Sequence, residues 1–114
     1  MNNDKEIRWL GSSYADILKF PDDPRREAGF QLGKIQAGLD PDNWKPFDDV
    51  GQGTREIRIR ETSGIFRVMY VAKFEEAIYV LHCFQKKTEA TSKSDKDIAD
   101  ARYRAMVQKR KTTK

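Results

Sequence analysis

With 114 residues, 38% hydrophobic and 11% aromatic, the chain has room for one domain with one core, and no run nears the roughly 20 apolar residues that span a bilayer. A single cysteine, Cys83, excludes an internal disulfide framework, and a single histidine beside it leaves the usual zinc ligand sets incomplete, so no cofactor or metal is expected. The net charge of +4 is uneven: residues 1–54 sum to −3, 55–87 to +3 and 88–114 to +4, which suits the second half to a polyanion.

The opening residues, MNNDKEIRW, carry no apolar signal segment, and the expectation is one cytoplasmic domain over residues 1–114. KEIRWL (5–10) alternates as a short strand that Gly11 breaks. Ser12 or Ser13 then caps a helix with Tyr14, Ile17 and Leu18 on one face, ended by Phe20-Pro21. Asp23-Pro24 predicts a second start, with Asp23 as N-cap and proline at the first helical position. Ala28, Leu32, Ile35 and Leu39 form its apolar stripe, and Gly29 with Gly33 predicts a close approach to a neighbour. Residues 40–54 hold prolines, glycines and aspartates and read as an irregular connection.

REIRIR (55–60) alternates strictly, ETSG (61–64) reads as a turn, and IFRVMYVAKF (65–74) and AIYVLHCF (77–84) follow as strands of an antiparallel meander. Residues 85–93 are a polar link. Ser94-Asp95-Lys96-Asp97 opens a last helix with Ile98, Ala101, Ala105 and Met106 inward, which frays into a flexible basic tail at about 109–114. The order β-α-α-β-β-β-α predicts an α+β fold, a small antiparallel sheet with an N-terminal αα-hairpin and a C-terminal helix. All helices are expected on one face, leaving the other open.

Alternation places Ile78, Val80, His82 and Phe84 on one strand face, with Lys86 following if the period holds. With the neighbouring strands in suitable register, Glu56, Arg58, Arg67, His82, Phe84 and Lys86 share one patch. Outward arginines are equally the residues of a plain solvated face. Together they would repel unless an anion sits among them; Glu56 is one such counter-charge and a phosphate another. Arg67, alternating outward, is expected to tolerate replacement by alanine. No glycine-rich phosphate loop and no serine motif appear. The chemistry left open is RNA cleavage in which the ribose 2′-hydroxyl attacks the adjacent phosphate, served by cations and by a lysine whose pKa is lowered by its neighbours.

The pieces REIRI (55–59), GIFRVMYV (64–71), YVLHCFQKKT (79–88) and DIADAR (97–102), with the N-terminal stretch from Ile7, resemble the RelE/HigB superfamily of type II toxin–antitoxin toxins, in its phage-derived HigB-like branch. The resemblance covers about residues 7–107. It implies a microbial-RNase-like fold and an endoribonuclease that cuts messenger RNA, often on the ribosome. It also implies a cognate helix-turn-helix antitoxin. Arg58, Arg67, Lys86 and Lys87 then fall on catalytic positions, and Arg60, His82 and Phe84 on RNA-binding ones. The family's C-terminal tyrosine or histidine has no counterpart, since Tyr103 falls inside the predicted helix. A non-catalytic binding or structural protein of phage origin on the same scaffold is the rival class, and toxicity on expression separates the two.

Overall fold

A strand that alternates apolar and charged residues, a tight turn and a largely apolar strand make the centre of the fold. Thr54–Glu61 (β3) and Gly64–Val71 (β4) pair antiparallel from Thr54 opposite Val71 to Glu61 opposite Gly64. Gly64 closes the turn at φ +140°, a conformation that L side chains rarely adopt. The computed structural model describes residues 4–88 and 90–112. The remaining elements are β1 (Glu6–Trp9), α1 (Ser13–Leu18), α2 (Asp22–Gln36), β2 (Trp44–Pro46), β5 (Ala77–Lys86) and α3 (Lys93–Thr112).

The fold is α+β, as predicted, with two additions. A short edge strand, β2, forms inside the expected irregular connection, and the sheet is mixed because β1 joins β5 in parallel. The strand order is β1-β5-β4-β3-β2.

Both sheet faces are covered, which corrects the one-sided expectation. On one face, Ile57, Ile59, Phe66, Val68 and Tyr70 meet Ile17 and Phe20 of the first helical segment and Ala28, Leu32 and Ile35 of α2. On the other, Met69, Val71, Tyr79, Leu81 and Phe84 meet Val50 and, from α3, Ala99 and Met106. Each fully buried large apolar side chain here contributes about 2 kcal/mol of transfer free energy. The inward side of α3 therefore differs from the predicted one: Ala101 and Ala105 are exposed, and Ile98 is half-buried. Four residues from Ala99 and three before Met106, Tyr103 donates its hydroxyl to the Gln52 carbonyl at 2.6 Å.

Helix ends also depart in detail. Helix α2 follows Pro21, with Asp22 and Asp23 in its first turn paired to Arg25 and Arg26 at 3.0 Å each, acids where the helix dipole favours them. Ser12 makes no side-chain cap on α1 and instead donates its hydroxyl to the Asp16 carboxylate at 2.7 Å. Ser92 takes the capping role for α3, accepting the Asp95 backbone N–H at 3.1 Å, two residues ahead of the predicted position. Leu39, beyond Gly38, is exposed, and nothing lies within 4 Å of where a Cβ would stand on Gly29 or Gly33, so no close helix approach occurs there. Helix α3 runs to Thr112; the final two positions of the predicted tail, 113 and 114, lie outside the described residues.

One irregularity positions everything that follows. Met69 faces His82 and Tyr70 faces Val80, so Leu81 is an extra residue, a β-bulge in β5. Ile78 and Val80 pack on the α1–α2 face, and Leu81 joins the α3 face. His82, set opposite Met69, also looks toward α3, and so does Phe84. The predicted common face of Ile78, Val80, His82 and Phe84 is thus split at the bulge.

Candidate functional site on the basic end of the sheet

Register brings the predicted cluster together by a different route. Arg58 lies opposite Arg67 and Arg60 opposite Ile65 across β3–β4. Phe84 lies opposite Arg67, and Lys86 opposite Ile65, across β4–β5. Strand faces alternate, so Glu56, Arg58, Arg60, Arg67, His82, Phe84 and Lys86 all belong to the α3 side of the sheet, toward the end where the β3–β4 turn lies. Lys45 joins them, being opposite Glu56 on β2.

Exposure divides the set into two layers. Arg58, Arg60 and Lys45 are exposed and Lys86 is half-buried. Beneath them, Arg67 is 4% and Glu56 1% exposed. Arg67 is therefore not the outward surface residue that alternation suggested. Its Nε lies 3.4 Å from Glu56 Oε1, and its Nη1 donates to the Phe66 carbonyl at 3.2 Å. Burial lowers the Arg67 pKa from the ordinary arginine value, Glu56 opposes that, and Arg58 and Arg60 add to the lowering. Lys86 likewise sits below an ordinary lysine, first through burial and next through the charge of Arg67.

His82 and Phe84 form the floor. They are 5% and 8% exposed and stack on each other with ring centroids 4.8 Å apart. His82 Nε2 is 2.8 Å from Asp95 Oδ1 in the first turn of α3. A second anchor comes from Arg102, which donates from Nη1 to the Leu81 carbonyl at 2.9 Å and from Nη2 to Ser12 Oγ at 3.0 Å. Helix α3 thus grips both bulge residues, one through its backbone and one through its side chain.

Lys87 stands just past the last residue of β5 and is exposed. Cys83 is turned to the opposite core, where burial pushes its thiol pKa well up and disfavours the thiolate. Tyr103 is committed to Gln52 and belongs to neither layer. Among the described residues, no group of three or more His, Cys, Asp or Glu is placed to hold a metal ion. The site is an open basic surface. A hollow of about 320 Å³ adjoins its floor, lined in part by Asp16, Lys19, Phe20, His82 and Phe84.

Three participants escaped the sequence reading: Lys45, the structural weight of Glu56, and the Asp95–Arg102 grip. Glu56 carried a signal, being the one acid on a strand face of arginines. Lys45 carried none, because three residues are too few for a period. Arranged this way, the surface can attract a polyanion, offer a phosphate the exposed guanidiniums of Arg58 and Arg60 above the held Arg67, and present a lysine with a lowered pKa.

The chain matches the family model described as Phage derived protein Gp49-like (DUF891) over residues 15–104. No curated protein matches it significantly.

Proposed function

Because the chain belongs to the Gp49-like family of phage-derived proteins, a family related to toxin–antitoxin systems, we propose that it is a RelE/HigB-like messenger-RNA endoribonuclease toxin, cytoplasmic, acting on ribosome-bound message and held inactive by a helix-turn-helix antitoxin. The observation that carries this is the pairing of Arg58 with Arg67 beside Lys86, over a buried Glu56. Two guanidiniums facing each other repel; an anion between them is the arrangement that makes the pair favourable.

The reaction follows from these groups. The ribose 2′-hydroxyl attacks the adjacent phosphorus, forming the 2′-O–P bond and breaking the bond to the 5′-oxygen, which leaves a cyclic phosphate and a free 5′-hydroxyl. Arg58, Arg60 and Arg67 hold the phosphate and stabilise the charge of the phosphorane. Lys86, poised below ordinary lysine, takes the 2′-hydroxyl proton. Lys87 and Lys45 add attraction for the RNA backbone, and the Phe84–His82 stack supports a base above it.

Induced expression tests this. Growth arrest with truncated messenger RNA, relieved by a co-expressed helix-turn-helix partner, is the expected result. Normal growth with abundant folded protein would instead leave a non-catalytic phage-derived binding or structural protein on the same scaffold.

A further inference from the structure

The sheet has a second functional feature at its opposite edge. Among the described residues, strand β1 pairs only with β5, so one side of it faces away from the sheet. Its backbone polarity can be read from its ends. Leu10 N–H donates inward to the Val80 carbonyl, whereas Lys5 N–H donates outward to the Gln36 carbonyl. In a parallel ladder successive residues alternate between neighbours, so Ile7 and Trp9 present their N–H and C=O groups outward with Lys5. The outward groups of Lys5 are taken by α2, its carbonyl accepting from the Gln36 side-chain amide at 2.7 Å. Among the described residues, no hydrogen bond is made by the outward groups of Ile7 or Trp9.

Both flanks of this edge are shaped. On one, Trp9 meets the half-exposed Tyr14 edge-on, with centroids 4.9 Å apart. On the other runs a groove of about 880 Å³ with Leu10, Tyr79 and Met106 along it and Arg8, Lys109 and Arg110 at its rim. Glu6 and Glu76 offset part of that charge, at 2.8 Å from Arg8 and 2.6 Å from Arg110.

We propose that the free edge of β1 is a strand-docking site for an extended, acidic segment of a partner protein, hydrogen-bonded to Ile7 and Trp9 with a carboxylate opposite Arg8. A second copy of the chain fits poorly. With Lys5 already capped, the antiparallel self-pairing that uses both Ile7 and Trp9 sets Arg8 directly against Arg8 of the copy, and like charges so placed destabilise a ladder. A glutamate at the same place reverses the sign. Main-chain bonds supply affinity in such an addition, and the side-chain pair supplies selectivity.

The probe is a blocked nine-residue peptide alternating valine with glutamate, compared with its valine–lysine counterpart, added to the isotope-labelled full chain. The expected result is saturable shifts centred on the Ile7 and Trp9 amides, slowed hydrogen exchange there, and tighter binding of the glutamate peptide by about threefold or more. Arg8→Glu should invert the preference while leaving the fold intact. Trp9→Pro, which deletes an outward N–H without touching the β5 ladder, should abolish binding. Equal binding of both peptides, no saturable binding, shifts centred away from β1, or self-association through β1 would overturn the proposal. The readout involves no RNA, so its failure is separable from loss of the proposed cleavage activity.

Discussion

Arg58 and Arg67 stand directly opposite each other on neighbouring strands, and among the described residues only Arg67 has its charge compensated from below, by Glu56 at 3.4 Å. The two arginines should therefore respond differently to removal. Arg58→Ala relieves repulsion at an exposed position and should leave stability within about 0.5 kcal/mol. Arg67→Ala strands a buried carboxylate and should cost about 3 kcal/mol or more. The double change Glu56→Leu with Arg67→Met should recover most of that loss, because an apolar pair of similar volume replaces the buried ions. Urea titration of the four proteins measures this, and equal stability of the two single alanine variants would contradict it.

Lysines 86 and 87 should separate under the mildest substitution. Arginine keeps the charge but does not deprotonate near neutral pH. Lys86→Arg should abolish cleavage with RNA affinity changed less than about twofold, while Lys87→Arg cleaves at nearly the wild-type rate. Since the Lys86 pKa is lowered by burial and by Arg67, a rate that needs its neutral form should rise with pH and level off below the range of an ordinary lysine. Near-wild-type rates in both variants would remove Lys86 from proton transfer.

Acid should loosen the far end of α3 first. Glu76 receives Arg110 at 2.6 and 3.1 Å, and this pairing lowers its pKa from 4.5 to about 2. A carboxylate with a depressed folded-state pKa stabilises fully above its unfolded value and loses that stabilisation as pH falls through the folded one. Wild-type protein should thus melt higher than Glu76→Gln at pH 6, with the gap closing between about pH 4.5 and pH 2. A gap that stays constant through that range would show that the pair does not titrate with folding.

The grip on the bulge can be loosened without entering the basic layer. Arg102→Ala removes the donor to the Leu81 carbonyl and should cost about 1–2 kcal/mol, with amide shifts spreading through His82 to Phe84. Nuclear magnetic resonance spectra confined to changes around α3 would show that the helix does not hold the strand in place.

The sheet centre was legible because its period is clean: Ile57 and Ile59 alternate with charges, and Gly64 marks the turn. The basic cluster was legible for the same reason, since Arg58 and Arg67 meet only if the hairpin closes at Glu61–Gly64, which it does. Strand β2 was not, because Trp44-Lys45-Pro46 is short and ends in a proline that an edge position tolerates. The burial of Arg67 was hidden too. Alternation gives the face of a side chain and not what surrounds it, and here Glu56 pairs with Arg67 while Arg58, Phe84 and Lys86 of the neighbouring strands flank it. For α3 itself, alanines occur on both sides of the helix, so Ala99 could not be told from Ala101 by residue type.

The extra residue in β5 also changes how the strand tolerates a change of length. Ordinarily, losing one residue from a strand exchanges its two faces. Here, a chain lacking Leu81 would place Val80 and His82 in unbroken alternation opposite Tyr70 and Met69, with Cys83 still in its core and His82, Phe84 and Lys86 still beside Arg67. The bulge behaves as an expansion joint: one residue enters or leaves and the basic face keeps its address. Relatives with a strand one residue shorter would then carry the same surface at a different spacing from Ala77, so the pieces of this motif are better matched by the face they occupy than by their separation along the chain.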